Sequence, residues 1–406
     1  MSRRIFLYLA IPAAKSFRKV ERRGLKRLRN IARRRFDIMR WAITGKLQTH
    51  YTTFEDHKNS NAGDIAVGVA IRQILQSAWT LIPDDIVEVG WGDLDEECIS
   101  RINEEAAVFV IGGSGYLHCG AHGQLSPLVQ ADVPKLERLT CPIVTVGVGL
   151  NRIIESEWLD PEQCIEDQSL ELLRRFSRVV ACHSVRDDLT KIILEKSGAR
   201  GVQVIGDPAL HLGKAERVSG EHRPGDRLRI GVNFSLHGPN SQDMLFANIG
   251  TYIAFLKWLE SSYKCELIYF AHSDAERFIW KILRQKGVNI DFVDGPPAEL
   301  LESYGTIDLH VCQMMHSAIL AMACGVPTLN LGYDMKNLYL FKLMSLGDRC
   351  RNVVNISLDD MTESFQSLYK SRNEINEVII DRQPELASRV AFFLASVSDH
   401  LGWNHS

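Results

Sequence analysis

The residues best suited to chemistry stand in short loops that follow apolar runs. Met314-Met315-His316-Ser317-Ala318-Ile319 comes after Leu309–Cys312 and opens a helical stretch that ends at Gly325. A histidine at a helix start can pass a proton or bind an anion, and it can equally be a hydrogen-bonded structural residue. Gly332-Tyr333-Asp334-Met335-Lys336 follows the next apolar run, Thr328–Leu331, so Lys336 reaches the same mouth. Asn61-Ala62-Gly63-Asp64 precedes another helix. Asn61 and Gly63 suit a tight turn there, Asp64 stands at an N-cap position, and the free amides beyond it would receive an anion. A plain capped helix accounts for the same residues. If Asp64 points into a cleft instead, it can take a proton from a hydroxyl.

Gly112-Gly113-Ser114-Gly115 lies directly after the apolar run Val108–Ile111. Amides at Gly112, Gly113 and Gly115 can hold a phosphate or carboxylate, while the absence of a following P-loop lysine argues against an ATP-hydrolysing engine. His183-Ser184-Val185-Arg186-Asp187 sits between a strand and a helix, where Ser184 or Asp187 can cap and Arg186 offers a planar fork to an anion. A surface pair of Arg186 with Asp187 or Asp188 is the alternative. Gly206-Asp207-Pro208 closes a strand and reads as mainly structural, and no metal-binding constellation is visible.

These loops need a scaffold that aligns strand ends. The candidate strands Ile86–Gly90, Val108–Ile111, Ile143–Val148, Val179–Cys182 and Val202–Ile205 are apolar on consecutive residues, as strands buried on both faces of a parallel sheet are. Helical patterns such as Ala66–Ser77 and Gln163–Phe176 lie between them. After a polar linker, Gly213–Arg229, a second series follows: strands Arg229–Phe234, Glu266–Ala271, Asp291–Val293, Leu309–Cys312 and Thr328–Leu331 alternate with helices. The fold class is α/β, with two Rossmann-like domains and a cleft between them. The boundaries fall at 1–50 for a basic arm, 51–215 and 226–357 for the two domains, and 358–406 for C-terminal helices.

The formal charge of -3 over 406 residues hides an uneven distribution. Residues 1–50 hold fifteen Lys/Arg against Glu21 and Asp37, a net of +13, which leaves -16 on the other 356 residues. Between Phe17 and Ile43 apolar residues recur at three- to five-residue steps among the basic ones, the pattern of a cationic amphipathic helix on a membrane surface. Packing on the acidic body would also accommodate it. With few aromatics and no recognition motif, nucleic acid is not an expected partner. The start at Ser2-Arg3-Arg4 is similar to a twin-arginine export signal, but the apolar stretch is short and basic residues follow, so retention in the cytoplasm is expected. Nine cysteines without a C-x-x-C fit that reducing compartment and argue against structural zinc or a disulfide framework.

The order of these motifs resembles the polysaccharide pyruvyl transferase family across residues ~60–340. The N-x-G-D helix start, the I-G-G-x-G strand exit, the S-V-R-D loop, the D-P-A-L turn, the late histidine helix, its G-V-P strand and the Tyr/Lys loop all occur in the family's sequence. The resemblance implies domains of glycosyltransferase-B type and transfer of a pyruvyl group from phosphoenolpyruvate to a sugar, giving a ketal. It implies no cofactor beyond that donor. His316 and Asp64 become the catalytic candidates; Asn61, Gly63, Gly112, Gly113, Gly115, His183, Arg186 and Lys336 become substrate-binding candidates. Many members carry Arg-x-His where this chain has Met314-Met315-His316, which moves donor binding onto Arg186, Lys336 and His183. The expected partners are phosphoenolpyruvate, a glycan or lipid-linked oligosaccharide acceptor, and an anionic membrane surface met by residues 17–43. A nucleotide-sugar glycosyltransferase and a non-catalytic membrane-tethered relative are the competing functions.

Overall fold

The computed structural model describes residues 4–10, 61–81, 85–120, 122–215, 227–235, 241–273 and 276–403. The patterned arm, residues 17–43, lies outside the described residues.

The first half is a parallel sheet built from β1 (Arg4–Leu9), β2 (Ile86–Gly90), β3 (Ala106–Gly112), β5 (Ile143–Val148), β7 (Val180–Val185) and β8 (Gln203–Val204). Its order is β2-β1-β3-β5-β7-β8, and a two-stranded parallel ribbon of β4 (Leu117–Cys119) and β6 (Leu150–Arg152) stands beside it. Its helices are α1 (Ala62–Trp79), α2 (Glu96–Glu105), α3 (Pro127–Leu136), α4 (Asp167–Val179) and α5 (Asp188–Lys196). The second half repeats the plan with β9 (Leu228–Asn233), α6 (Ser241–Ser262), β10 (Cys265–Phe270), α7 (Arg277–Gln285) and β11 (Ile290–Val293). It continues through α8 (Pro297–Tyr304), β12 (Leu309–Cys312), α9 (Met315–Ala323), β13 (Thr328–Gly332), α10 (Met335–Leu343) and β14 (Cys350–Asn352). This sheet is parallel in the order β11-β10-β9-β12-β13-β14. Strand order reverses between β1 and β3 in one sheet and between β9 and β12 in the other. Ligands in open α/β sheets bind beyond the carboxyl ends of strands at such reversals.

One expectation is corrected here. The arm was drawn over residues 1–50, yet Arg4–Leu9 is an interior strand that pairs with both β2 and β3. Ile5, Leu7 and Leu9 face one apolar cluster while Phe6 and Tyr8 face another, so the run is buried on both sides. Each such side chain contributes ~1.5–3 kcal/mol on burial, far more than flanking arginines can offset by staying in water.

The cluster on the Ile5 side is continuous with the core of the second half through α1. Met335 and Tyr339 of α10 in turn join the cluster of the first half. After α11 (Leu358–Lys370), the long helix α12 (Arg372–His400) crosses back. Its Leu386 lies beside Gly206, and Trp403 beyond it meets Trp79 of α1 edge-to-face at 5.1 Å. Apolar packing therefore seals the two halves and leaves strand-end loops at the seam. Among the described residues no helix is long and apolar enough to cross a membrane.

Candidate active site

Helix α1 enters the seam with Asn61 as its cap: the Asn61 side chain accepts from Gly63 N at 3.0 Å, and Ala62 N donates to His272 O across the seam at 2.9 Å. Asp64 was expected to cap; it is instead the third helical residue. Its Oδ1 accepts from Ser114 Oγ at 2.8 Å and its Oδ2 from Asn61 Nδ2 at 2.9 Å. Burial raises the Asp64 carboxyl above its ordinary value, opposed by the Ser114 hydrogen bond and then by the charge of Lys336. A half-buried carboxylate with two fixed donors keeps lone pairs free for a hydroxyl proton.

The glycine loop after β3 works differently from a ligand cradle. A Cβ on Gly112 would stand 2.8 Å from Ile71 and Leu9 side chains, and one on Gly113, at φ +45°, would stand 2.2 Å from Val67. Gly113 N is already bonded to Val146 O at 2.7 Å. Gly112 and Gly113 thus let β3 end tightly against α1, which delivers Ser114 to Asp64. Gly115 leaves room for the Asn151 side chain, which a Cβ would meet at 2.1 Å.

Arg186 does not project from its loop. It is 1% exposed, with Nε 3.2 Å from Asp187 Oδ2, Nη1 3.9 Å from Asp207 Oδ2 and Nη2 3.3 Å from Asn151 Oδ1. Gly149 makes the space, since a Cβ there would lie 2.4 Å from the guanidinium. Asp187 caps α5 through Thr190 N at 2.9 Å. Asp207, read as mainly structural, caps a short 3-10 turn and also faces Arg186; burial pushes its carboxyl up to about 6 while Arg186 pulls the other way. Arg186 acts on the seam through its charge, which both Asp64 and His316 feel. His183 is not brought to the site. Strand β7 runs on to Val185, so alternation turns His183 toward Phe176 of α4, ring centroids 6.1 Å apart, and burial pushes it down to about 4.

His316 is the second residue of α9 and is 8% exposed. A Cβ on Gly63 would lie 2.3 Å from His316 Cγ, so the ring rests on the backbone of α1, one residue from Asp64. Burial, then the charges of Lys336 and Arg186, push His316 down to about 3, and its Nε2 has no partner among the described residues. Met314 at the start of α9 offers no side-chain cap, so amides of the first turn stay open to an anion. Lys336 is half-buried at the start of α10 with Nζ 5.5 Å from the Tyr333 ring. Asp334 holds this corner: its Oδ1 accepts from Lys336 N and, across the seam, from Arg152 N, both at 2.9 Å.

Gly63 and Asp64, His316 and Lys336 are thus assembled at one place from the starts of three separate helices. The family model for polysaccharide pyruvyl transferases matches residues 61–335, from the cap of α1 to the residue before Lys336. The chain belongs to the polysaccharide pyruvyl transferase family. No protein of curated function matches the sequence. Among solved structures, a putative UDP-N-acetylglucosamine 2-epimerase from Listeria monocytogenes is similar at 15% identity and TM-score 0.54, over 82% of this chain and 87% of that one. The UDP-GlcNAc 2-epimerase from Neisseria meningitidis, bound to UDP-GlcNAc, is similar at 12% identity and TM-score 0.52, over 81% and 89%. These likenesses show the fold, two Rossmann-like domains of glycosyltransferase-B type, as the motif order implied. Ser114, Asn151, Asp207, Asn233, His272 and Glu276 join the seam without having been singled out for it. Ser114 stood inside the glycine loop and Asn233 at a strand end, signals too common to stand out.

Proposed function

We propose that this pyruvyl transferase takes the pyruvyl group of phosphoenolpyruvate and places it on a sugar of a cell-surface polysaccharide, or of its lipid-linked precursor, as a ketal. The observation that carries this reading is the contact of His316 with Gly63, beside Asp64 and within the field of Lys336. A donor with a phosphate and a carboxylate needs cations and oriented amides, which Lys336 and the uncapped start of α9 supply. Arg186 supports them from beneath as a buried charge. The donor's methylene carbon takes a proton, its C2 becomes electrophilic, and one acceptor hydroxyl adds there, losing its proton to Asp64. A second hydroxyl then forms the other C–O bond as the bond to phosphate breaks, and its proton leaves on the departing phosphate. His316 delivers the proton or steadies the departing phosphate. No metal enters this scheme.

The test is to incubate the purified chain with phosphoenolpyruvate and a panel of glycolipid and oligosaccharide acceptors, following phosphate release and product mass. Product heavier by one pyruvyl ketal supports the reading; no ketal across the panel, together with saturable binding of a nucleotide sugar, overturns it.

The arm over residues 17–43 suits an enzyme that works at the cytoplasmic membrane face, where each Lys or Arg contributes ~1 kcal/mol near an anionic leaflet. Replacing the Lys/Arg residues of 17–43 with glutamine, with β1 left intact, is expected to abolish binding to anionic liposomes and to spare turnover on a soluble acceptor. Sedimentation with liposomes reads the first, and undiminished binding would remove the membrane role.

A further inference from the structure

Two side chains hidden from solvent tie together the strand ends that present His316. Asn233 and Glu276 are each 0% exposed. Asn233 Nδ2 donates to Phe270 O at 2.8 Å and to Glu276 Oε2 at 3.4 Å. Its Oδ1 accepts from Met314 N at 3.2 Å and its main-chain oxygen from Gln313 N at 2.9 Å. Glu276 Oε2 also accepts from His272 N at 2.6 Å, and His272 O accepts from Ala62 N at 2.9 Å. The His272 ring continues inward: Nε2 lies 2.9 Å from the Tyr304 hydroxyl, which lies 2.7 Å from Ser317 Oγ. One carboxyl thus fastens the loop after β10, through Asn233 the loop after β12, and through His272 the start of α1. Those are the supports on which the His316 ring rests.

We propose that Glu276 is a positioning residue for His316, holding the loops around it through the N–H groups gathered on its Oε2. The inference rests on His316 being a working residue of the proposed reaction. Oε2 accepts from both His272 N and Asn233 Nδ2, so the role needs an acceptor oxygen at that place. Glutamine keeps such an oxygen, whereas alanine removes it.

Burial pushes the Glu276 carboxyl up to about 8, against the pull of hydrogen bonds from His272, Asn233, Ser273 and Ser235. The titratable groups that face it are Tyr269 of β10, His272 in the next loop, Tyr304 of α8 and Tyr333 beyond β13. The unfolded chain gives up this proton near 4.5, and the folded chain keeps it to about 8. Stability from this group is therefore fully present below the lower value and falls as pH rises toward the upper one.

The experiment compares the full chain with Glu276→Gln and Glu276→Ala in three readouts: phosphate release from phosphoenolpyruvate with acceptor, the ring NMR signals of His316 assigned by their loss in His316→Gln, and the thermal midpoint against pH. Glu276→Gln is expected to keep turnover and the His316 signals near neutrality, and to lack the wild-type fall in thermal midpoint as pH rises from 4.5 to about 8. Glu276→Ala is expected to shift the His316 signals and lower turnover by ~10²-fold, the scale of a misplacement of about 1 Å. Unmoved His316 signals in Glu276→Ala, or equal damage from Glu276→Gln, would overturn the proposal. If the wild type forms no ketal, the activity reading fails separately, because the His316 signals and the thermal profile still decide the role of Glu276.

Discussion

His316→Ala is expected to slow ketal formation by ~10²–10⁴-fold, the usual contribution of a positioned proton donor. Burial, then the charges of Lys336 and Arg186, push the ring down to about 3 and so favour its neutral form. An anionic donor cancels that positive field and favours the imidazolium, so binding should take up a proton. The sign follows: donor affinity weakens as pH rises, because the proton that stabilises the complex becomes scarcer. Calorimetry in two buffers of different ionisation enthalpy reads the uptake, and His316→Ala should abolish it. The ring's removal gives up packing against α1 but no hydrogen bond from Nε2 among the described residues, so a thermal midpoint measured beside turnover separates loss of fold from loss of chemistry. A companion variant, Gly63→Ala, keeps the imidazole but puts a Cβ 2.3 Å from its Cγ, forcing the ring aside. Its turnover should fall by ~10²-fold with proton uptake reduced, the expected scale for a displaced catalytic group. Unchanged turnover in both variants would take His316 out of the mechanism.

The architecture was legible because buried parallel strands are apolar on consecutive residues, and Ile86–Gly90, Ile143–Val148 and Leu309–Cys312 stand at the residues their pattern indicated. Strand β1 was not legible. Its Arg3-Arg4 flank and its distance from β2 hide it, because the partner strands of a parallel sheet are remote in sequence. His183 was misplaced by reading β7 as ending at Cys182; the strand runs three residues further, so His183 is a strand residue packed on Phe176 and not part of the loop. Arg186 was placed correctly along the chain but not in depth. Whether a guanidinium reaches solvent or turns under Gly149 toward Asp187 and Asp207 depends on three loops meeting, and no single one of them encodes that. His316 and Lys336 were placed at helix starts that follow strands, and Asp64 at the start of another helix, which is where the structure has them.

The buried arginine leads to the second large effect, on stability. Arg186→Met should destabilise the chain by ~3–5 kcal/mol, the cost of removing one partner from a buried ion pair. Against a typical total of ~5–15 kcal/mol, that change brings unfolding within easy reach of warming or mild denaturant. Methionine fills much of the space but leaves Asp187 and Asp207, both 0% exposed, without their cation. The loss should depend on pH in a defined direction. Asp207 already keeps its proton to about 6 when folded, against 3.8 when unfolded, so its contribution falls as pH rises between those values. Without Arg186, the influence that lowers this carboxyl is gone, and the falling limb extends to higher pH. Urea midpoints for Arg186→Met should therefore lie closer to wild type in mild acid than in mild alkali. Arg186→Lys should rescue little, because one ammonium cannot reproduce a planar fork shared between Asp187, Asn151 and Asp207. Asp207→Asn added to Arg186→Met should recover part of the loss by removing a stranded charge. A variant as stable as wild type at both pH values would show that the pair contributes nothing net, and that Arg186 serves the seam by its field alone.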